Sequence, residues 1–428
     1  MKFGVIWIDR MLDTSLHINI GNEIQHYYAI VQLYREMGIT DRDIVPVSYS
    51  ERASFSLDGN EKLILPINEA LFYIGDDRQF SLPFPLHDNV IPVFLGISLL
   101  GRTALPDDVI DYMRKFEPVG CRDEFTMEFL KSFGIEAYLF GCVSLTLPLR
   151  PHSDHADKFF LVDIPDEFRD YIPKNILKDE IIVEKTHGLP EENKYPNAIR
   201  RFKICDELLK SYAKDAKIVV TSRLHCVLPC IAMGIPVIYV SENHSKRFAW
   251  IDKYLRIYTR SEWEKIDWSP LPIEIEEIKS LMKLTAKAAI MSAAIGNPID
   301  RVGFSEISAF WQNRPTYCYE NFVVEVIEKE LSALPDGFKY IIWGVGLIGE
   351  RVYQEITKRF PSAEMILAVD SFVRGEFHGK TTSLPYEILK YKDALLFIAT
   401  YTGKKDVSEW ISKNVLENKC VFFSSTSG

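Results

Sequence analysis

The residues with the most chemistry to offer sit at one turn. Thr221-Ser222-Arg223-Leu224-His225 lies within KIVVTSRLHCVLPCIAMGIPVIYVS, residues 217–241. Arg223 is a fixed cation, His225 is a titratable imidazole, and Thr221 and Ser222 add hydroxyls. A helix starting at this turn would add backbone N–H groups, and such an N-terminus favours anions. An anion and a proton donor could therefore meet here. Position alone also admits a plainer reading, with His225 a packed first-turn residue and Arg223 a surface charge. His187, in KTHG, and Arg247, in SENHSKRFAW, recur at comparable places, the latter beside His244 and Lys246. His152, Asp154, His155 and Asp157 include metal-binding types, but PLRPHSDHADK reads better as a solvated interdomain linker. The seven cysteines are odd in number and lie in apolar patterns without any CxxC pair, which fits reduced, buried thiols and argues against zinc.

The elements around these residues explain why they would converge. KIVV and PVIYV are Val/Ile-rich runs of the kind that form strands buried on both faces of a parallel sheet. The segment between them reads as a crossover helix ending at Met233-Gly234. Pro229 has no N–H to give the His225 carbonyl, so His225 is expected at an irregular helix start. FFLVDI (159–164) and IIVEKTHG precede this unit as further strands. His187, Arg223, His225 and Arg247 then all follow carboxyl ends of strands in one sheet, the edge where open α/β sheets bind ligands.

A first strand/helix alternation precedes that one. Residues 1–9 read as a strand. Asn19-Ile20-Gly21-Asn22-Glu23 reads as a turn, with Asn22 the expected helix cap, or as a polar loop at a cleft mouth. IQHYYAIVQLYREMG reads as a helix. There is no GxGxxG here. Strands are expected at 62–67, 90–100, 118–121 and 137–147, with a helix opening at Arg122-Asp123. Residues from about 275 to 331 turn helical. The last block differs: FKYIIWGVGLIGERVYQEI is a strand, then Gly344-x-Gly346-x-x-Gly349, then a helix. MILAVD follows and ends at Asp370, about where a ribose-binding carboxylate would stand. That is a Rossmann-type pattern, and its glycines serve either a nucleotide or helix–strand packing alone.

The chain has 428 residues, 47% hydrophobic and 26% charged, with a net charge of −10. This composition supplies a sizeable core and disfavours a nucleic-acid partner. No apolar run is long enough to span a bilayer, and the start lacks a leader-like pattern, so a cytoplasmic protein is expected.

VVTSRLHCVLPCIAMGIPVIYV resembles the most characteristic segment of the polysaccharide pyruvyl transferase family. NIGNEIQ resembles that family's N-x-G-D-x-x-Q loop, GCRDEFTMEFLKSFGI its R-D-x-x-T helix start, and GCVSLTLP the strand after it. KTHG and KRFAW also fit, so the likeness covers roughly residues 1–260. The RLH segment is its most specific part and the first loop its least. One departure is visible: Asn22 stands where the family has an acid, and an amide can hydrogen-bond but cannot act as a base. Residues 336–428 fall outside the likeness.

The resemblance implies an α/β protein of two facing Rossmann-like domains, as in GT-B glycosyltransferases, to which the glycine pattern above adds a third, C-terminal Rossmann-like domain. The expected division is 1–150 (acceptor side), 156–270 (phosphoenolpyruvate side), a helical connector at 271–335, and 336–428. The implied activity moves pyruvate from phosphoenolpyruvate onto two hydroxyls of one sugar as a cyclic ketal, in building capsule, exopolysaccharide or a related glycan. The acceptor would be a sugar or lipid-linked oligosaccharide. His225 is the expected acid. Arg223, with Ser222 and Leu224 of its turn, would hold one anion, and Arg122 and Arg247 others. His187 would face acceptor or phosphate, and Asn19, Gly21 and Asn22 would line the cleft. No metal or cofactor is required. A nucleotide at Gly344, Gly346, Gly349 and Asp370 stays open. So do two other readings: a glycosyltransferase using a nucleotide sugar, and a non-catalytic sugar- or nucleotide-binding regulator.

Overall fold

The computed structural model describes the chain except residues 9–17, 71–82, 100–104, 152–155, 190–196, 243–245, 314–325, 333, 335–336, 372–374, 400–403, 415–416 and 424–428. The chain forms two compact units, one of residues 1–242 and 257–314, the other of 243–256 and 315–428.

The first unit contains two parallel sheets. Along the chain come β1 (Lys2–Trp7), β2 (Ile18–Asn19), β3 (Ile44–Ser48), β4 (Leu63–Ile67), β5 (Val90–Ile97), β6 (Val119–Cys121) and β7 (Ala137–Leu139). All but β2 lie in one sheet in the order β3-β1-β4-β5-β6-β7, every neighbour parallel. All five residues of β4 are buried, as LILPI requires when helices cover both faces. One helical rod follows β2: α1 (Ile20–Glu23), a π-helical turn over Ile24–Tyr28, and α2 (Ala29–Glu36). Next come α3 (Asp107–Lys115) and α4 (Glu124–Ser132), the latter capped by Asp123 Oδ1, which accepts the Thr126 N–H at 2.8 Å.

The second sheet is built from β8 (Lys158–Val162), β9 (Ile181–Lys185), β11 (Ala216–Thr221), β12 (Val237–Val240) and β13 (Ile257–Tyr258). Its order is β13-β12-β11-β8-β9, again all parallel. The short β10 (Gly188–Leu189) instead pairs antiparallel with β2. Its helices are α5 (Lys174–Asp179), α6 (Ala198–Asp215) and α7 (Leu224–Ala232). Then α8 (Glu276–Ile295) and α9 (Phe304–Gln312) complete the unit. In each sheet the strand order reverses beside the first strand: between β1 and β4, and between β8 and β11. Ligands of open α/β sheets bind outside the carboxyl ends of strands at such reversals.

Two local expectations change. Asn19, not Asn22, caps the first helix: pairing with β10 holds Asn19 extended, and its Oδ1 accepts the Gly21 N–H at 2.9 Å. Asn22 lies inside α1. The run 137–147 is strand only to Leu139, because Gly141 takes φ +92° and a 3-10 turn follows over Val143–Thr146.

The second unit carries β14 (Lys339–Trp343), α10 (Leu347–Arg359), β15 (Glu364–Val369), the hairpin β16 (Glu376–Phe377) and β17 (Lys380–Thr381), β18 (Leu395–Ile398), α11 (Lys404–Lys413) and β19 (Cys420–Phe422). Its parallel sheet runs β15-β14-β18-β19 and buries apolar side chains on both faces. The fold is thus α/β throughout, with three Rossmann-like parallel sheets.

Candidate active site

The second sheet's reversal point is occupied by Asp163, just past β8, and by Ser222 and Arg223, just past β11. Asp163 takes a left-handed backbone, φ 46°. Its Oδ2 accepts the His187 N–H at 2.9 Å and the Arg223 Nε–H at 3.0 Å. The Ser222 hydroxyl donates to the Asp163 carbonyl, and the Arg223 N–H to Thr221 Oγ1 at 2.9 Å. Burial pushes the Asp163 carboxyl up, but the His187 N–H, the Thr186 hydroxyl and the Arg223 guanidinium outweigh it and hold it below the usual range. The Arg223 side chain remains 45% exposed, so this cation is both anchored and open to solvent.

Arg223 caps α7, and the N–H groups of Cys226 and Val227 both reach its carbonyl, at 3.0 and 3.1 Å. Every residue of α7 is buried, Leu224 included, and Pro229 lies inside the helix. His225 occupies the first turn with 4% exposure. Its neighbour across the unit is Gly21: a Cβ built there would stand 2.8 Å from the His225 Cβ and 3.5 Å from its Cγ. Only a glycine lets the α1 backbone approach the histidine so closely. The approach is fixed by the β2–β10 pairing, which sets Asn19 opposite Gly188, and by the Ile20 N–H bond to the His187 carbonyl at 2.7 Å.

His187 contributes here through its backbone. Its ring is 1% exposed, lies 3.2 Å from the Tyr212 hydroxyl through Nε2, and stacks on that ring. It also touches Cys226. Burial pushes that thiol up, but the Cys230 and His187 side chains together bring it below its ordinary range. The expected facing of the His187 ring toward acceptor or phosphate is therefore corrected to packing behind α7.

The same helical rod reaches the first sheet. Gln25 stands one turn beyond Gly21, on the same face. Gln25 Oε1 accepts from Arg122 Nη2 at 3.0 Å. Arg122, 3% exposed, also donates to Asn68 Oδ1 at 3.2 Å and to the Gly96 carbonyl at 3.2 Å. These partners are neutral oxygens, and Nη1 has no hydrogen bond among the described residues. The rod is anchored by Glu23, whose Oε1 accepts the Ile8 N–H at 3.0 Å and lies 3.4 Å from Arg201 Nη1, both side chains at 0% exposure. One helix thus carries Gly21 against His225 and Gln25 against Arg122, bringing the two predicted groups to adjacent turns.

Arg247 falls in a 3-10 segment, Lys246–Lys253, grouped with the second unit; its side chain, with His152, Asp154 and His155, lies outside the described residues. Asp163, Gln25, Asn68 and Glu23 were not anticipated as site residues. The signal for Asp163 was present in LVDIP, an acid at a strand exit, whereas nothing local marks Gln25 as the partner of Arg122.

In the second unit, Gly344 takes φ +107°, and a Cβ on Gly349 would lie 2.0 Å from the Gly344 carbonyl oxygen. A Cβ on Gly346 would meet nothing within 4 Å. Asp370 Oδ2 accepts the Val345 N–H at 3.1 Å and so ties β15 to the glycine turn. Among the described residues no group of three His, Cys, Asp or Glu could hold a metal ion, and no helix is long and apolar enough to cross a membrane.

The first unit is thus an α/β unit with an exposed guanidinium at one sheet's reversal point and a buried imidazole in the first turn of the adjoining helix. The model of one family, polysaccharide pyruvyl transferase, matches residues 19–244, more than half of the chain and spanning both clusters, and the chain belongs to that family. Membership marks it as a transferase with a pyruvyl-transfer role in polysaccharide synthesis. No curated protein matches the sequence. Among solved structures, an uncharacterized protein from Klebsiella pneumoniae subsp. pneumoniae NTUH-K2044 is similar at 15% identity, covering 58% of this chain and 85% of its own, with a TM-score of 0.31.

Proposed function

We propose that the protein transfers pyruvate from phosphoenolpyruvate to two hydroxyls of one sugar, closing a cyclic ketal on a polysaccharide precursor. The observation that carries this reading is one helical rod that sets Gly21 against His225, two residues after the exposed Arg223, and Gln25 against Arg122. Phosphoenolpyruvate presents a phosphate and a carboxylate, and guanidinium forks suit both. Arg223 takes one anion and the unclaimed Nη1 of Arg122 the other. The two parallel sheets of the first unit then act as the halves of a GT-B-like enzyme, with donor at the second sheet and acceptor at the first.

In this mechanism the His225 imidazolium gives its proton to C3 of the enol. Bound anions favour the protonated ring. C2 becomes electron-poor, and a sugar hydroxyl adds to it while losing its proton. The C2–O bond to phosphate breaks, phosphate departs with the bonding pair, and the second hydroxyl closes the ring. The arginines offset the charge, so the chemistry needs no metal. The second unit has no assigned step.

The test is phosphate release from phosphoenolpyruvate in the presence of a panel of simple and lipid-linked glycosides. Release that depends on the glycoside supports the reading. Silence with phosphoenolpyruvate, together with consumption of a nucleotide sugar, would replace it with a glycosyltransferase.

A further inference from the structure

The first sheet also has a reversal point, between β1 and β4, and the residues just past β4 are Asn68 and Glu69. Glu69 is 1% exposed. Its Oε1 lies 3.3 Å from Arg52 Nε, yet neither carboxylate oxygen has an aligned hydrogen bond among the described residues, and neither has Arg52 Nε or His26 Nδ1. Arg52 otherwise donates to the Tyr49 carbonyl and lies over the Tyr49 ring, 3.7 Å from its centroid. His26 reaches Gln25 through Nε2 at 3.1 Å, and both belong to the π-helical turn, a distortion often found at functional sites. Buried polar atoms without partners are costly and few in native proteins. Four atoms in one cluster lack an aligned hydrogen bond among the described residues, Glu69 Oε1 and Arg52 Nε meeting only as an ion pair; they lie at the edge where such sheets bind ligands, and a polar ligand would complete them.

Three other carboxylates at these two edges, Glu23, Asp163 and Asp123, are committed. Glu23 holds the Ile8 N–H and faces Arg201. Asp163 holds Arg223 and the His187 N–H. Asp123 caps α4 and accepts the Ser98 hydroxyl at 2.6 Å. Asn22 has no basic oxygen. We propose that Glu69, held by Arg52 at the reversal point of the first sheet, is the base that takes the proton from the attacking sugar hydroxyl.

This rests on the pyruvyl-transfer reading. The hydroxyl proton passes to Glu69 as its oxygen bonds to C2, and the carboxylic acid so formed returns the proton to solvent or to the departing phosphate. With Arg122 engaged by the donor, Arg52 and Glu69 balance each other, so the acceptor ring at this place is uncharged. Burial pushes the Glu69 carboxyl up, against the pull of Arg52 and Arg122, which brings it nearer the range of an effective base. Burial and the same two arginines push His26 down, so it stays neutral and does not compete as an acid.

The test compares wild type, Glu69→Gln and Glu69→Asp by glycoside-dependent phosphate release across pH, with thermal melting as the check on folding. E69Q is expected to lose roughly 10²–10⁴-fold in kcat with the KM for phosphoenolpyruvate little changed. It should also lose the acidic limb of the wild-type profile, where rate rises as Glu69 ionises. The charged and titratable groups facing Glu69 are Arg52, Arg122 and Tyr49, with His26 beside Tyr49, and none of them changes in E69Q. E69D keeps the ion pair and should fall between the two, with the limb retained, which decides the matter if E69Q does not fold. E69Q turnover within a few-fold of wild type, or an unchanged acidic limb, overturns the proposal while leaving the pyruvyl-transfer reading standing. A wild-type protein that releases no phosphate with any glycoside overturns both.

Discussion

Replacing Gly21 by alanine adds one methyl group where the structure has no room for it. The new Cβ would lie 2.8 Å from the His225 Cβ and 3.0 Å from Asn19 Oδ1. Carbon atoms in good contact stand about 3.5–4.0 Å apart, so α1 and the first turn of α7 must separate by about 1 Å. Overpacking of this kind costs about 1–3 kcal/mol. Gly21 lies in a helix without a positive φ, so alanine also returns about 1 kcal/mol of helix propensity, leaving a net loss of about 0–2 kcal/mol. Activity should suffer more, because a 1 Å displacement of a catalytic group can cost roughly 10²-fold. Denaturant unfolding and phosphate release measured on the same preparation separate the two effects. Near-native stability with a large loss of kcat is the expected pattern. An alanine variant with unchanged turnover would show that Gly21 does not set the position of His225.

Breaking the buried Glu23–Arg201 pair with Arg201→Met should destabilise the first unit by about 3–5 kcal/mol in denaturant unfolding, and the double variant with Glu23→Leu should recover only part of that loss, because the buried Ile8 N–H then lacks its acceptor. In the second unit, Gly349→Ala drives a Cβ into the Gly344 carbonyl and should lower the melting temperature sharply, whereas Gly346→Ala, with nothing near, should leave it unchanged. The Asp163 carboxyl is lowered by folding, so its contribution to stability is present above its unfolded pKa of about 3.9 and is lost as pH falls below that value. Asp163→Asn should flatten this part of an acid-unfolding curve, and an identical curve would count against the Arg223 anchor.

Much of the architecture was legible because both sheets are parallel and buried. Runs such as KIVV and PVIYV have little reason to be anything but central strands. The clustering of Arg223 and His225 followed from their spacing after one strand. What stayed hidden depends on contacts distant in sequence. IVPVS, at 44–48, is short and holds a proline, so its place at a sheet edge was not evident. The capping role of Asn19 depends on pairing with Gly188, far along the chain, and local propensity pointed to Asn22 instead. His187 looked like a ligand because it follows a strand; only the position of Tyr212 on α6 shows that its ring turns inward. Glu69 follows LPIN with no distinguishing pattern and gains meaning only when Arg52 is seen beside it.

The central claim is that the His225 imidazole protonates phosphoenolpyruvate. Its most direct test is glycoside-dependent phosphate release by His225→Ala, checked for folding by thermal melting. The account predicts a folded protein with kcat reduced by roughly 10²–10⁴-fold, the usual contribution of a general acid. A folded His225→Ala protein turning over at the wild-type rate would contradict it.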